Sequence, residues 1–90
     1  MSNKKTLNII NEKGLHARAS AKLVETVEAH DADAEVSKDG LNASGDSIMG
    51  LLMLAASKGT AIEVQTSGLE AEKLLLALET LVADRFGEDF

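Results

Sequence analysis

The run Ala32-Asp33-Ala34-Glu35-Val36-Ser37, the turn Lys38-Asp39-Gly40 and the run Leu41-Asn42-Ala43-Ser44 follow one another without interruption. In the first run Ala32, Ala34 and Val36 fall on one side, and Asp33, Glu35 and Ser37 on the other. A period of two belongs to a strand with one buried face. Asp-Gly at the end of the turn tolerates the positive φ angles that a tight hairpin needs. Leu41 to Ser44 is then the return strand, and the pair is antiparallel.

Two further strands flank this hairpin in sequence. Thr6 to Asn11 places Leu7 and Ile9 on one face and Ile10 opposite. Ala61 to Thr66 turns Ile62 and Val64 inward and Glu63 and Gln65 outward. Three helical patterns lie between and after the strands. From His16 to His30 an apolar stripe runs through Ala17, Ala21, Val24 and Val27. Leu23 widens its edge, Ser20 falls beside it, and Lys22, Glu25 and Glu28 point away. Gly45-Asp46-Ser47 opens a short apolar helix, Ile48 to Ala56, with Asp46 or Ser47 as its cap. Lys58-Gly59 stops it. Ser67-Gly68-Leu69-Glu70 fits a capping box for the last helix. Its stripe is Ala71, Leu74, Leu75, Leu78, Leu81, Val82 and Phe86, and Gly87 ends it. Leu76 lies off the stripe. The order β-α-β-β-α-β-α predicts an α+β two-layer open-faced sandwich. It has a four-stranded antiparallel sheet with three helices on one face.

The 90 residues carry nine basic and fifteen acidic side chains, a formal net charge of −6. That length suits one domain over residues 1–90 with a modest core. The absence of Cys removes disulfides, thiolate metal sites and a thiol nucleophile. Two His leave zinc short of its usual ligands. The acidic balance argues against a nucleic-acid backbone as ligand. With Phe86 and Phe90 the only aromatics, a base-stacking surface is excluded too. The N-terminus has no signal-peptide pattern, and Ile48 to Ala56 is too short to span a bilayer. The expectation is a cytoplasmic monomer without metal or cofactor.

Lys13-Gly14-Leu15-His16-Ala17-Arg18 is the chemically suggestive segment. A helix starting near His16 leaves its first amides, those of Ala17 and Arg18, without internal partners. The positive end of the helix dipole lies there, and such a place attracts phosphate. Arg18 adds a planar charged fork suited to phosphate oxygens. The dipole and Arg18 both disfavour a positive ring, so His16 is expected to be neutral and hence nucleophilic. A phosphoryl group on the ring would be held by the same amides and by Arg18. Taken alone, the pattern also fits a solvated loop. No Ser-His-Asp arrangement or metal set is present, which leaves stand-alone hydrolysis without machinery. His30, near a helix C-terminus, reads as structural.

Gly14-Leu15-His16-Ala17-Arg18 resembles the active-site signature of the HPr family, the histidine-containing phosphocarriers of the phosphoenolpyruvate-dependent phosphotransferase system. Asp46-Ser47-Ile48-Met49-Gly50-Leu51 resembles the family's regulatory-serine region. The resemblance spans the chain and agrees with the element order read above. It implies that His16 is phosphorylated through Nδ1 and that Arg18 and the amides of Ala17 and Arg18 steady the group. It implies enzyme I as donor, an EIIA-type protein as acceptor, and an HPr serine kinase acting on Ser47. Docking would involve Ser20, Ile48, Met49, Leu51 and Leu52, with Met49 and Leu52 the most exposed. The chain departs from the family pattern at Ala19, where Pro is usual. That change restores one amide and leaves nucleophile and Arg intact. Leu51-Leu52-Met53-Leu54, Lys58-Gly59 and Arg85-Phe86-Gly87-Glu88-Asp89 resemble the nitrogen-related branch more than the sugar branch.

A different class shares some features. Gly45-Asp46-Ser47-Ile48 is similar to the motif of acyl carrier proteins, whose serine bears phosphopantetheine. Those proteins are helical throughout, and their helix after the serine is acidic. The strands read here, and the lack of acidic residues from Met49 to Ser57, count against it.

Overall fold

The computed structural model describes residues 2–90. Its elements are β1 (Ser2–Asn8), α1 (Ala17–Glu28), β2 (Asp33–Lys38), β3 (Leu41–Ser44), α2 (Ile48–Met53), β4 (Ala61–Ser67) and α3 (Ala71–Ala83). A single 3-10 turn, Arg85–Gly87, follows α3. The four strands form one antiparallel sheet in the order β1-β4-β2-β3. The expected open-faced α+β sandwich is therefore the fold.

Alternation decides which side of the sheet is covered. Val36 sits opposite Ala43 on one neighbour and Val64 on the other, and Leu7 sits opposite Ile62. All five are buried, while Glu35, Glu63 and Gln65 between them are exposed. The helices cover the apolar face with Leu23, Val27, Leu51, Leu74, Leu78 and Phe86. Each fully buried Leu of this set contributes about 1.5–3 kcal/mol relative to exposure.

Several local expectations change. β1 is Ser2–Asn8 rather than Thr6 to Asn11, and α3 ends at Ala83, with Phe86 in the separate turn Arg85–Gly87 rather than on the helix. On α1 the buried line is Ala19, Ser20, Leu23, Val24 and Val27, and Ala17 is exposed. Alanines mark a helix face poorly because they fit either side, so the larger Leu23 and Val27 set the rotation. α2 ends at Met53 rather than Ala56. Ala55 takes φ 53, which turns the chain so that Leu54 and Ala56 both enter the core. At α3 the capping box does not form. Glu70 is the N-cap residue, without a side-chain cap bond, and its carboxylate instead accepts from the Asp31 amide at 2.7 Å. Ser47 does cap α2, its Oγ accepting from Gly50 N at 3.0 Å. Ser47→Ala is expected to lower stability by about 1 kcal/mol, read as a shift in urea midpoint at unchanged slope.

The sheet order brings two loops together at one end of the molecule. Ile9 N donates to Thr60 O at 2.9 Å, Gly59 N to Ile9 O at 2.9 Å, and Leu15 N to Ala56 O at 2.9 Å. The β1–α1 loop thus lies against the α2–β4 loop. Gly14 permits this approach. Its φ is +64, and a Cβ there would stand 2.5 Å from Ala56 O. Gly14→Ala therefore combines left-handed strain with a backbone clash. The expected loss is roughly 2–4 kcal/mol, measurable by urea unfolding. A loss under about 0.5 kcal/mol would show that the loops do not meet here.

Candidate functional site

His16 is the N-cap residue of α1, with extended backbone and no side-chain bond into the helix. The amides of Ala17 and Arg18 that follow it have no backbone acceptor among the described residues. Ala17 and Arg18 are exposed and His16 is half-buried. The helix start thus presents two free donors, a guanidinium and an imidazole on one surface, as the local sequence pattern suggests.

The ring has a partner that this pattern does not announce. His16 Nε2 is hydrogen-bonded to Glu88 Oε2, a residue 72 positions away. Among the described residues Nδ1 makes no hydrogen bond. The other oxygen of Glu88 accepts from Asn11 Nδ2 at 2.9 Å, and the same nitrogen donates to Gly14 O at 2.8 Å. Both amide hydrogens of the buried Asn11 are used, while its Oδ1 has no partner among the described residues. This fixes the amide orientation, since a flipped group would aim its oxygen at two acceptors.

Burial pushes the Glu88 carboxyl up. Hydrogen bonds from Asn11 and His16, with the charges of His16 and Lys13, outweigh that and hold it below the ordinary carboxylate range. An ionised carboxylate can only accept at this contact.

A left-handed turn delivers Glu88 to this position. Arg85, Phe86 and Gly87 have φ of 55, 55 and 77. Two non-glycine residues in that region cost roughly 1–2 kcal/mol each. Full burial of Phe86 offsets this cost. Lys22 Nζ donates to Phe86 O at 2.6 Å, and Glu12 N to Phe90 O at 3.0 Å, so the tail is tied on both sides. Lys13, Arg18 and Lys22 line the cleft between tail and helix start, together with Glu12 and Asp89.

An apolar patch lies near the His16 ring. Met49 and Met53 are 70% and 71% exposed, Ile48 41% and Leu52 36%. Leu52 and His16 line the same shallow depression. Two residues expected at a docking surface are not on it. Leu51 is fully buried because it is the one side chain of α2 that reaches the core. Ser20 is fully buried, with its Oγ donating to Leu15 O at 3.2 Å. Met53, which sequence reasoning left out, takes their place, and Met53 rather than Leu52 matches Met49 in exposure. His30 lies elsewhere, its Nδ1 bonded to Thr26 O at 2.7 Å near the end of α1.

A family model described as the PTS HPr component phosphorylation site matches residues 3–84. The chain belongs to the HPr family. It is a phosphocarrier of the phosphotransferase system, which carries a phosphoryl group rather than catalysing a reaction. Among curated relatives, phosphocarrier protein HPr of Neisseria meningitidis is 45% identical over 85 residues, covering 94% of this chain and 96% of its own. Phosphocarrier protein NPr of Escherichia coli is 39% identical over 90 residues, covering 99% of this chain and 100% of its own. The solved structure of HPr-C-His from Thermoanaerobacter tengcongensis superposes with a TM-score of 0.92 at 33% identity. It covers 98% of this chain and 99% of its own. The acyl-carrier alternative falls with the family match and the four-stranded sheet. Among the described residues no helix is long and apolar enough to cross a membrane.

Proposed function

We propose that this HPr-family chain accepts a phosphoryl group from phosphorylated enzyme I on His16 Nδ1 and passes it to an EIIA-type protein. The observation that carries the reading is the division of labour on one ring. Nε2 is occupied by Glu88, whereas Nδ1 makes no hydrogen bond among the described residues, on the residue that opens α1. A carboxylate accepts and cannot donate. The ring hydrogen therefore resides on Nε2, and Nδ1 keeps its lone pair. The amides of Ala17 and Arg18 and the Arg18 guanidinium supply donors for the arriving oxygens. Transfer of this kind needs positioning and charge stabilisation more than covalent help from the protein.

Ile48, Met49, Leu52 and Met53 form the docking patch in this reading. A few apolar anchors in a small interface suit a carrier that must leave each partner quickly. Ser47 stands at the edge of that patch. Phosphorylation by an HPr serine kinase would place a dianion beside it and weaken partner binding, while a helix N-terminus tolerates the charge.

The nitrogen-related branch is the proposed setting. The tail Arg85 to Asp89 and the run Leu51 to Leu54 resemble that branch. The Escherichia coli NPr match also extends through nearly the whole chain. The higher identity to the Neisseria HPr favours the sugar branch as a second reading. Incubation with phosphoenolpyruvate and enzyme I of each branch tests both. One acid-labile phosphate by intact mass is expected, faster with the nitrogen-branch donor. Faster loading by the sugar-branch donor would reverse the branch, and no phosphate from either would remove the carrier role.

A further inference from the structure

We infer that Glu88 is a positioning residue for His16, holding the ring in the Nε2–H form so that Nδ1 faces phosphorus with a free lone pair. This deepens the reading of Nδ1 as acceptor and rests on it. Glu88 lies beyond residues 3–84 that the family model matches. It belongs to the tail that follows that match.

The geometry is over-determined. Asn11 Nδ2 claims one carboxylate oxygen and so fixes which oxygen meets His16. Asn11 is itself locked by Gly14 O and by full burial. The tail backbone is held by Glu88 N to Arg85 O at 2.9 Å and by Glu12 N to Phe90 O at 3.0 Å. Lys13, Arg18 and Lys22 share the cleft and would repel a bare positive ring, as Glu12 and Asp89 would not.

The consequence for transfer can be followed atom by atom. The Nδ1 lone pair forms the N–P bond. The bond from phosphorus to the donor atom breaks, and its electron pair leaves with the donor. The Nε2 proton stays in place, so the ring becomes positive as the N–P bond grows. Glu88 sits on that proton and offsets the charge against Arg18. A buried carboxylate on the far nitrogen of a nucleophile-activating His acts in the same two ways, setting the tautomer and stabilising the imidazolium.

Two substitutions separate this role from mere packing. In Glu88→Gln, Asn11 still claims the side-chain oxygen, which turns the new amide nitrogen toward Nε2. An amide N–H donates, so the ring hydrogen is driven to Nδ1 and the lone pair is lost. In Glu88→Ala the ring is free and samples both forms. Phosphate uptake is expected to fall about tenfold in Glu88→Ala and about 100-fold in Glu88→Gln. A packing role predicts the reverse order, because Gln preserves the shape. The independent readout is 15N NMR of the unphosphorylated ring at about pH 8, above the usual histidine range. The parent should show hydrogen on Nε2, Glu88→Ala an average, and Glu88→Gln hydrogen on Nδ1. Identical ring spectra in all three proteins overturn the inference, as does Glu88→Gln loading faster than Glu88→Ala. The stated ring shifts in a parent that takes up no phosphate would support the positioning and overturn the transfer reading instead.

Discussion

His16→Ala is expected to take up no acid-labile phosphate from enzyme I and phosphoenolpyruvate, while staying folded. The ring makes no cap bond to α1, and its one hydrogen bond, to Glu88, sits at a partly exposed surface. Truncation should therefore cost at most about 1 kcal/mol. For a domain of this size that is a melting shift of roughly 4–8 °C. Loss of the ring removes the nucleophile itself. Alanine keeps the free amides and Arg18, so weak phosphate binding is expected to persist without a covalent bond. His30 is the control. Its Nδ1 is bonded to Thr26 O, and its place at the far end of α1 gives it no free amides. His30→Ala should load like the parent. An acid-labile mark that survives in His16→Ala would move the phosphorylated position and overturn the assignment.

Phe86→Ala is expected to have the largest effect on stability. Phe86 is fully buried in the core, and large-to-small changes of this kind cost about 3–5 kcal/mol. The fall in melting temperature should exceed roughly 12 °C. The damage should also travel. Burial of the ring is what offsets the two left-handed residues Arg85 and Phe86. Without it the turn loses its reason to form, and Glu88 and Phe90 lose their path back to Asn11 and Glu12. The variant should therefore show the averaged His16 ring signal expected of Glu88→Ala. Phe90→Ala is the contrast, since its side chain is exposed and its contact is through the backbone carbonyl. It should shift stability by less than about 0.5 kcal/mol. Guanidinium unfolding of both variants decides the matter. Near-equal midpoints would mean that the tail does not pack as described.

The inward and outward faces read from local pattern for the strands and the last helix stand, although β1 starts and ends earlier and α3 stops at Ala83, before Phe86. Leu7 and Ile9 are buried and Ile10 is exposed; Ala34 and Val36 are buried and Glu35 is not. Leu74, Leu78, Val82 and Phe86 are all buried, and Leu76, off the stripe, is exposed. Errors fell where local pattern carries little information. Alanines left the face of α1 ambiguous, and a six-residue α2 is too short for a period to be read.

Features legible from residues 1–90 alone are therefore those that neighbours within a turn or two decide. Alternation selects the buried face of a strand, Ser47 caps α2, and His16 with Arg18 stands where a helix leaves amides free. These depend on backbone geometry over a few residues. Tertiary structure decided the rest: the insertion of β4 between β1 and β2, the approach of Gly14 to Ala56, and the contact of Glu88 with Asn11 and His16. Glu88 is 77 positions from Asn11, and nothing near either residue indicates the other. The two meet because Phe86 is buried in the core and the left-handed turn around it leads the chain to the end of the molecule where α1 begins.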